Sequence, residues 1–219
     1  MLDTPAYALA DEGEVRNLIR TSPWATLVSA TPGGLIASHY PFLLDETASG
    51  IVLLSHVGAD DAALHELGQH ETLVIFEGPN GYVSPSWYGR PTGVPTWNYA
   101  AVHVYGRPRI LSAHRNLEVL ERLVDHFEDP LPNPFRMRGT LENSAYADRI
   151  SVGTTGFALP VDRFVGKEKM SQDKPGEVVA RIIETLRQPG PYRNPALADR
   201  MAGVNSALRN THRGYPVTP

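Results

Sequence analysis

Two apolar runs of strand character, Leu73 to Phe76 and Tyr99 to Arg107, are tied together by a segment that resists helix formation. Gly78, Pro79, Asn80 and Gly81 break the first run, so a polar-aromatic loop is expected from Tyr82 to Asn98. The chain must therefore build a hairpin-like unit around this loop. Tyr82, Trp87, Tyr88, Trp97 and Tyr99 fall in it, with two of the three tryptophans of the chain. They alternate with Ser84, Ser86, Thr96, Asn98 and His103. Flat rings beside short hydroxyls and amides suit a planar polar ligand, because rings stack and short donors orient. A long loop packed by its own aromatics would have the same composition.

The rest of the chain reads as short strands with few helices. A helix is expected over 11–20, with Val15, Leu18 and Ile19 on one side and acids in its first turn. Strands follow at 25–31, 35–44, 51–56, 72–76 and 99–111, with Pro108 marking a bulge or edge. A short helix is expected at 60–67 and the clearest one at 116–128, on a face of Leu117, Leu120, Val124 and Phe127 widened by Leu123. A short helix over 142–149, one last strand over 151–165 and an amphipathic helix over 175–187 complete the body. Many Gly and Pro turns among short strands point to a mostly β fold with α (α+β): an antiparallel barrel or sandwich with helices at the rim.

Composition sets the exclusions. The chain has no cysteine, which removes disulfides, thiolate metal sites and Cys nucleophiles. The net charge is −4, which argues against a general nucleic-acid surface. From Arg187 onward, however, five arginines face one acid, so residues 189–219 read as a basic C-terminal tail with a helix over 195–208. The remaining 1–188 read as one domain. Residues 21–44 lack charge but contain Pro23, Pro32, Gly33, Gly34 and Pro41, so they are two buried strands and not a membrane span. The N-terminus has no signal-peptide pattern, which makes the cytoplasm the default location. No Gly-x-Ser-x-Gly elbow, Gly-x-Gly-x-x-Gly or Walker loop is present. No helix-turn-helix with a basic recognition face is visible either, so direct DNA binding is not expected.

The segments YVSPSWYG and VPTWNYAAVHVYG closely resemble the signature of the PaiB-type proteins, described as FMN-binding negative transcriptional regulators. ATLVSATPGGLIASHYPFLLD at 25–45, the strand ending in His56, and GKEKMSQ at 166–172 lie in the same order. The resemblance spans roughly residues 1–188. It implies the FMN-binding split β-barrel with peripheral helices. It also implies a homodimer with the cofactor between subunits, and a small-molecule substrate or ligand. Carried over position by position, it brings His39, His56, the Tyr82–Tyr88 and Thr96–Tyr99 motifs, His103, Lys167, Lys169, Ser171 and Gln172 to the cofactor. Trp87, Tyr88, Trp97 and Tyr99 would shape the ring pocket. Ser84, Ser86, Thr96 and Asn98 would supply polar contacts. Lys167 and Lys169, two apart on a strand, would share a face and meet the anionic end.

One segment departs from the resemblance. The family usually has an Arg three residues after the strand-ending histidine, then Asn-Pro and Trp. Here Ala59, Asp60, Asp61, Ala62 and Leu64 replace them, which removes a cation and adds two acids. A neighbouring branch, the piperazate synthases, binds haem b in the same barrel and closes an N–N bond in a hydroxylated amino acid. There the residue matching His56 is the expected axial ligand. Three readings stay open: an FMN protein with redox activity on a small molecule, a haem enzyme, and a ligand- or partner-dependent regulator. Of the eight histidines, His65, His70, His114, His126 and His212 are expected on helix or loop surfaces.

Overall fold

The computed structural model describes residues 4–212, with side chains through Ala207. In chain order the elements are α1 (Glu12–Thr21), β1 (Trp24–Thr31), β2 (Gly34–Pro41), β3 (Leu43–Leu44), β4 (Val52–Gly58), α2 (Ala59–Leu64) and β5 (Thr72–Val83). Then come β6 (Thr96–Gly106), β7 (Arg109–Ile110), α3 (Ala113–Glu128), α4 (Leu141–Ser151), β8 (Thr154–Pro160), β9 (Arg163–Lys169), α5 (Gly176–Arg187) and α6 (Pro195–His212). One sheet runs β2-β1-β5-β6-β9 and the other β3-β4-β8-β7. The chain divides into two compact units, one of residues 11–76 and 102–165, the other of 1–10, 77–101 and 166–219.

In the larger unit, β1 and β2 form a hairpin closed by Pro32 and Gly33, in register from Trp24↔Pro41 to Thr31↔Gly34. β1 pairs on its other side with the first half of β5, from Ala25↔Phe76 to Ser29↔Thr72. In the second sheet, β4 pairs antiparallel with β8 from Val52↔Pro160 to Gly58↔Thr154. Period-2 patterning sends Leu53, Ser55 and Val57 inward, all fully buried. Phe42, Phe76 and Phe157 meet edge to face there, with ring centroids 5.7 and 5.9 Å apart. The opposite face of β4 carries Leu54, which packs on Val119 and Leu123 of α3. Gly106, the last residue of β6, has no room for a side chain, since a Cβ there would lie 2.1 Å from the Pro160 carbonyl oxygen. Helix α1 is capped by Asp11, which accepts from Glu14 N at 2.9 Å, and it buries Val15, Leu18 and Ile19 as its spacing predicts.

In the smaller unit, α5 buries Val178, Val179, Ile182 and Leu186. α6 packs beside it with Leu197, Ala198 and Met201 fully buried.

Several expectations change. The strands expected over 35–44 and 99–111 each divide between the two sheets, as β2 with β3 and β6 with β7, and β2 buries none of its residues. β5 runs unbroken through Gly78, Pro79, Asn80 and Gly81. β1 pairs with β5 only as far as Phe76, so beyond that point Pro79 forfeits no ladder bond to β1. The expected last strand over 151–165 is instead the end of α4 followed by β8 and β9, which belong to different sheets. The buried line of α3 is Asn116, Val119 and Leu123, and Phe127 is half exposed. Lastly, His65 is buried rather than superficial, at 1% exposure. In the tail, Arg187 pairs with Asp199 at 2.6 Å and Arg200 with Glu168. The side chains of Arg209 and His212, and all of Arg213, lie outside the described residues. No helix among the described residues is long and apolar enough to cross a membrane.

Candidate functional site

The smaller unit gathers most of the ring-bearing loop. Tyr82 is the last residue but one of β5, Trp87 lies in a 3-10 turn (Pro85–Tyr88), and Trp97 is the second residue of β6. The Tyr82 ring stands 6.4 Å from both indoles, centroid to centroid. A fourth ring arrives from the link between α5 and α6. Tyr192 lies 5.4 Å from Tyr82 and 5.9 Å from Trp87. Sequence reasoning missed it, because nothing local marks a lone tyrosine in a Pro-rich tail as a partner of rings about a hundred residues earlier. Tyr82, Trp97 and Tyr192 line an open groove of about 400 Å³ with Gly81, Leu186, Arg193 and Asn194. That volume lies within the range of small-molecule clefts. Trp97 keeps 53% exposure, while its Nε1 donates to Asn80 Oδ1 at 3.1 Å, which fixes the plane of the indole.

Other residues of the motif serve the frame. Tyr88 is buried, and its hydroxyl donates to Val94 O at 3.0 Å. Burial, followed by the charge of Asp173, pushes its phenol above the ordinary range. Ser84 accepts from Ser86 N at 3.2 Å and starts the 3-10 turn. Asn98 and Ser171 are fully buried and bonded to each other, Nδ2 donating to Oγ at 2.9 Å. Gln172 folds back, its Oε1 accepting from Met170 N at 2.6 Å and its Nε2 donating to Glu168 O at 2.7 Å. Lys169 donates to Thr96 Oγ1, one residue from Trp97, and Lys167 donates to Thr4 Oγ1 at 3.1 Å. Tyr99 is half-buried on β6.

The larger unit holds the three histidines of the expected set. His39 is exposed on β2 and stacks on Trp24, with centroids 6.3 Å apart and planes 17° from parallel. His103 is half-buried on β6. His56, on β4, is half-buried and its Nδ1 is wholly buried with no hydrogen-bond partner. Burial holds its imidazole below the ordinary pKa, in the neutral form. The departing segment forms α2. Asp61 accepts a hydrogen bond from the Tyr40 hydroxyl, whose pKa is pushed up to about 12 by burial and then by that carboxylate. His65, just beyond α2, bridges two serines, Nδ1 to Ser29 Oγ and Nε2 to Ser38 Oγ, each at 2.9 Å. Among the described residues, no group of three or more His, Asp or Glu could hold a metal ion.

Comparison with known proteins agrees with this architecture. The sporulation protein "Protease synthase and sporulation protein PAI 2" of Bacillus subtilis is 28% identical over 182 residues, covering 83% of this chain and 86% of its own length. The FAD and heme binding protein of Mycobacterium smegmatis superposes with a TM-score of 0.54 at 19% identity, over 78% of this chain and 77% of that one. The flavocytochrome Anf3 of Azotobacter vinelandii gives 0.54 at 15% identity, over 75% and 70%. At those identities the two structures speak for the fold, which is the split barrel of flavin-binding proteins. A family profile described as "Putative FMN-binding domain" matches residues 1–163, and the chain belongs to that family.

Proposed function

We propose that this protein binds a flavin, FMN in the first instance, and acts on a small molecule through it. The observation that carries this reading is the ring-walled groove of Tyr82, Trp97 and Tyr192, with the Lys169 ammonium one residue along β6 at Thr96. The donor set fits the group: indole and phenol faces for a tricyclic ring, Lys169 and Lys167 for a phosphate. A bound flavin supplies reversible electron transfer. The chain's part is to stack, orient and shield. Trp97, held in plane by Asn80, offers a rigid face, and the open side of the groove leaves room for a second planar molecule. Direct DNA contact is no part of this reading, since Arg187 and Arg200 are already ion-paired.

The subunit partner proposed is a second copy. On the outer face of the larger unit, Trp24 and Leu35 are 62% and 78% exposed, on a sheet whose β2 is an edge strand. Exposed apolar side chains on such a face are what a twofold contact covers.

Absorbance of the freshly purified protein and titration with FMN and riboflavin test the function. Two flavin bands are expected. Lys169→Gln should weaken FMN on the order of 10-fold and leave riboflavin, which has no phosphate, unchanged. Failure of FMN and FAD to bind saturably would overturn the reading, as would equal loss of riboflavin. A second reading, haem, is favoured by His56 alone: a neutral, half-buried imidazole suits an axial ligand. It predicts one intense Soret band that His56→Ala abolishes, whereas flavin content would be nearly unchanged by the same substitution.

A further inference from the structure

Among the described residues, two buried side-chain polar atoms have no hydrogen-bond partner: His56 Nδ1 and Asn116 Oδ1. They belong to one place. His56 stands directly opposite Gly156 in the β4–β8 ladder. Directly opposed residues project to the same face, with Cβ positions about 5 Å apart. A Cβ on Gly156 would meet Asn116 Oδ1 at 2.5 Å and the Asn116 Cα at 2.9 Å. The amide oxygen of Asn116 therefore fills the space that a side chain at 156 would take, beside that of His56. The face is set independently by Leu54, two residues before His56, which packs on Val119 and Leu123 of α3. His56 lies one pair further along, toward the first turn of α3, where Asn116 sits.

The amide of Asn116 has a determined orientation. Its Nδ2 donates to Thr154 Oγ1 at 2.9 Å, and to the carbonyl oxygens of Thr154 at 3.3 Å and Ser151 at 3.4 Å. Carbonyls only accept, so the nitrogen must be on that side and the oxygen on the side of Gly156. Asn116 is 4% exposed, so bulk water does not solvate this oxygen. An unprotonated Nδ1 would set two acceptors against each other in a dry place. A protonated Nδ1 gives the amide oxygen a donor, directly or through one water.

We propose that Asn116 is the positioning residue of His56. Its Oδ1 holds the ring as the Nδ1–H tautomer and turns the lone pair of Nε2 toward the accessible side. Nε2 makes no hydrogen bond among the described residues and is not among the buried unpartnered atoms. Position 56 then accepts: it takes an N–H or O–H donor of a ligand, or an open metal coordination position, and it disfavours a carbonyl or phosphate oxygen. This holds whether FMN, haem or neither is bound, and in water the opposite tautomer is the commoner one.

The test is long-range ¹H–¹⁵N correlation on ¹⁵N-histidine-labelled protein, with the His56 signals identified by their loss in His56→Ala. In the wild-type protein Nδ1 should show the shift of a protonated nitrogen and Nε2 that of a lone-pair nitrogen. Asn116→Leu should move the ring toward the Nε2–H form. Asn116→Asp, which keeps an acceptor and adds charge, should keep Nδ1–H and raise the His56 titration midpoint. An Nε2–H ring in the wild-type protein overturns the proposal, whatever the variants do. An unchanged tautomer in folded Asn116→Leu, or an unmoved midpoint in Asn116→Asp, overturns it too.

Discussion

His65 offers the sharpest test of how the α2 segment is held. Its two ring nitrogens bridge Ser29 on β1 and Ser38 on β2. His65→Leu removes both bonds and leaves the fully buried Ser29 hydroxyl without its imidazole partner. An orphaned buried hydroxyl costs about 1–3 kcal/mol, and the half-buried Ser38 adds about 0.5 kcal/mol because water can reach it. The expected loss is about 3 kcal/mol. At about 2–4 °C per kcal/mol for a chain of this size, Tm falls by roughly 6–12 °C. Ser29→Ala alone strands the imidazole Nδ1 instead and should cost about 2 kcal/mol. With both polar groups gone only the half-buried Ser38 still loses its partner, so the double variant should cost about 1 kcal/mol, not the sum of about 5. Urea denaturation of the four proteins measures this cycle. Additivity within about 0.5 kcal/mol would refute the bridge as the source of the stabilisation.

The pH dependence follows from the same histidine and from His56. Both have folded pKa values lowered from 6.5 by burial, a shift that Asp61 partly offsets at His65. The unfolded chain then binds protons that the folded one refuses. Stability is fully present above about pH 6.5 and falls as pH drops below it. The urea midpoint should be flat from about pH 7 to 8 and decline from about 6.5 to 5.5, less so in His56→Gln. A midpoint that rises over that interval would contradict the assignment. On the outer sheet face, Leu35→Lys should shift sedimentation from dimer toward monomer without altering the far-ultraviolet spectrum, and an unchanged dimer would exclude that face.

Helices α1 and α5 were legible in the sequence because their apolar spacing is the burial itself: Val15, Leu18 and Ile19 in one, Val178, Val179, Ile182 and Leu186 in the other. The face of α3 was not. Hydropathy chose Leu117, Leu120, Val124 and Phe127, widened by Leu123; of these only Leu123 is buried, and it is joined by Val119 and by Asn116, admitted because its amide hydrogens find acceptors at Ser151 and Thr154. Residues 151–165 read as one alternating strand, since periodicity cannot report a change of sheet. His65 looked superficial among acids, and its serine partners lie 36 and 27 positions earlier. The ring cluster was half legible. Tyr82, Trp87 and Trp97 share one loop, whereas Tyr192 enters through the packing of the tail. Of the lysine run, the spacing pointed to Lys167 and Lys169, but the pairing of Ser171 with Asn98 is a tertiary fact.

The division of the chain into units has a consequence for synthesis. The larger unit is complete once residue 165 has left the ribosome, whereas the smaller one is assembled from residues 1–10, 77–101 and a final stretch starting at 166. Its early pieces, the indole-bearing loop among them, must wait for α5 and α6 before they have anything to bury against. Nascent chains halted before that point would present Trp87 and Tyr88 without the cover of α5, a stage at which chaperones have most to recognise.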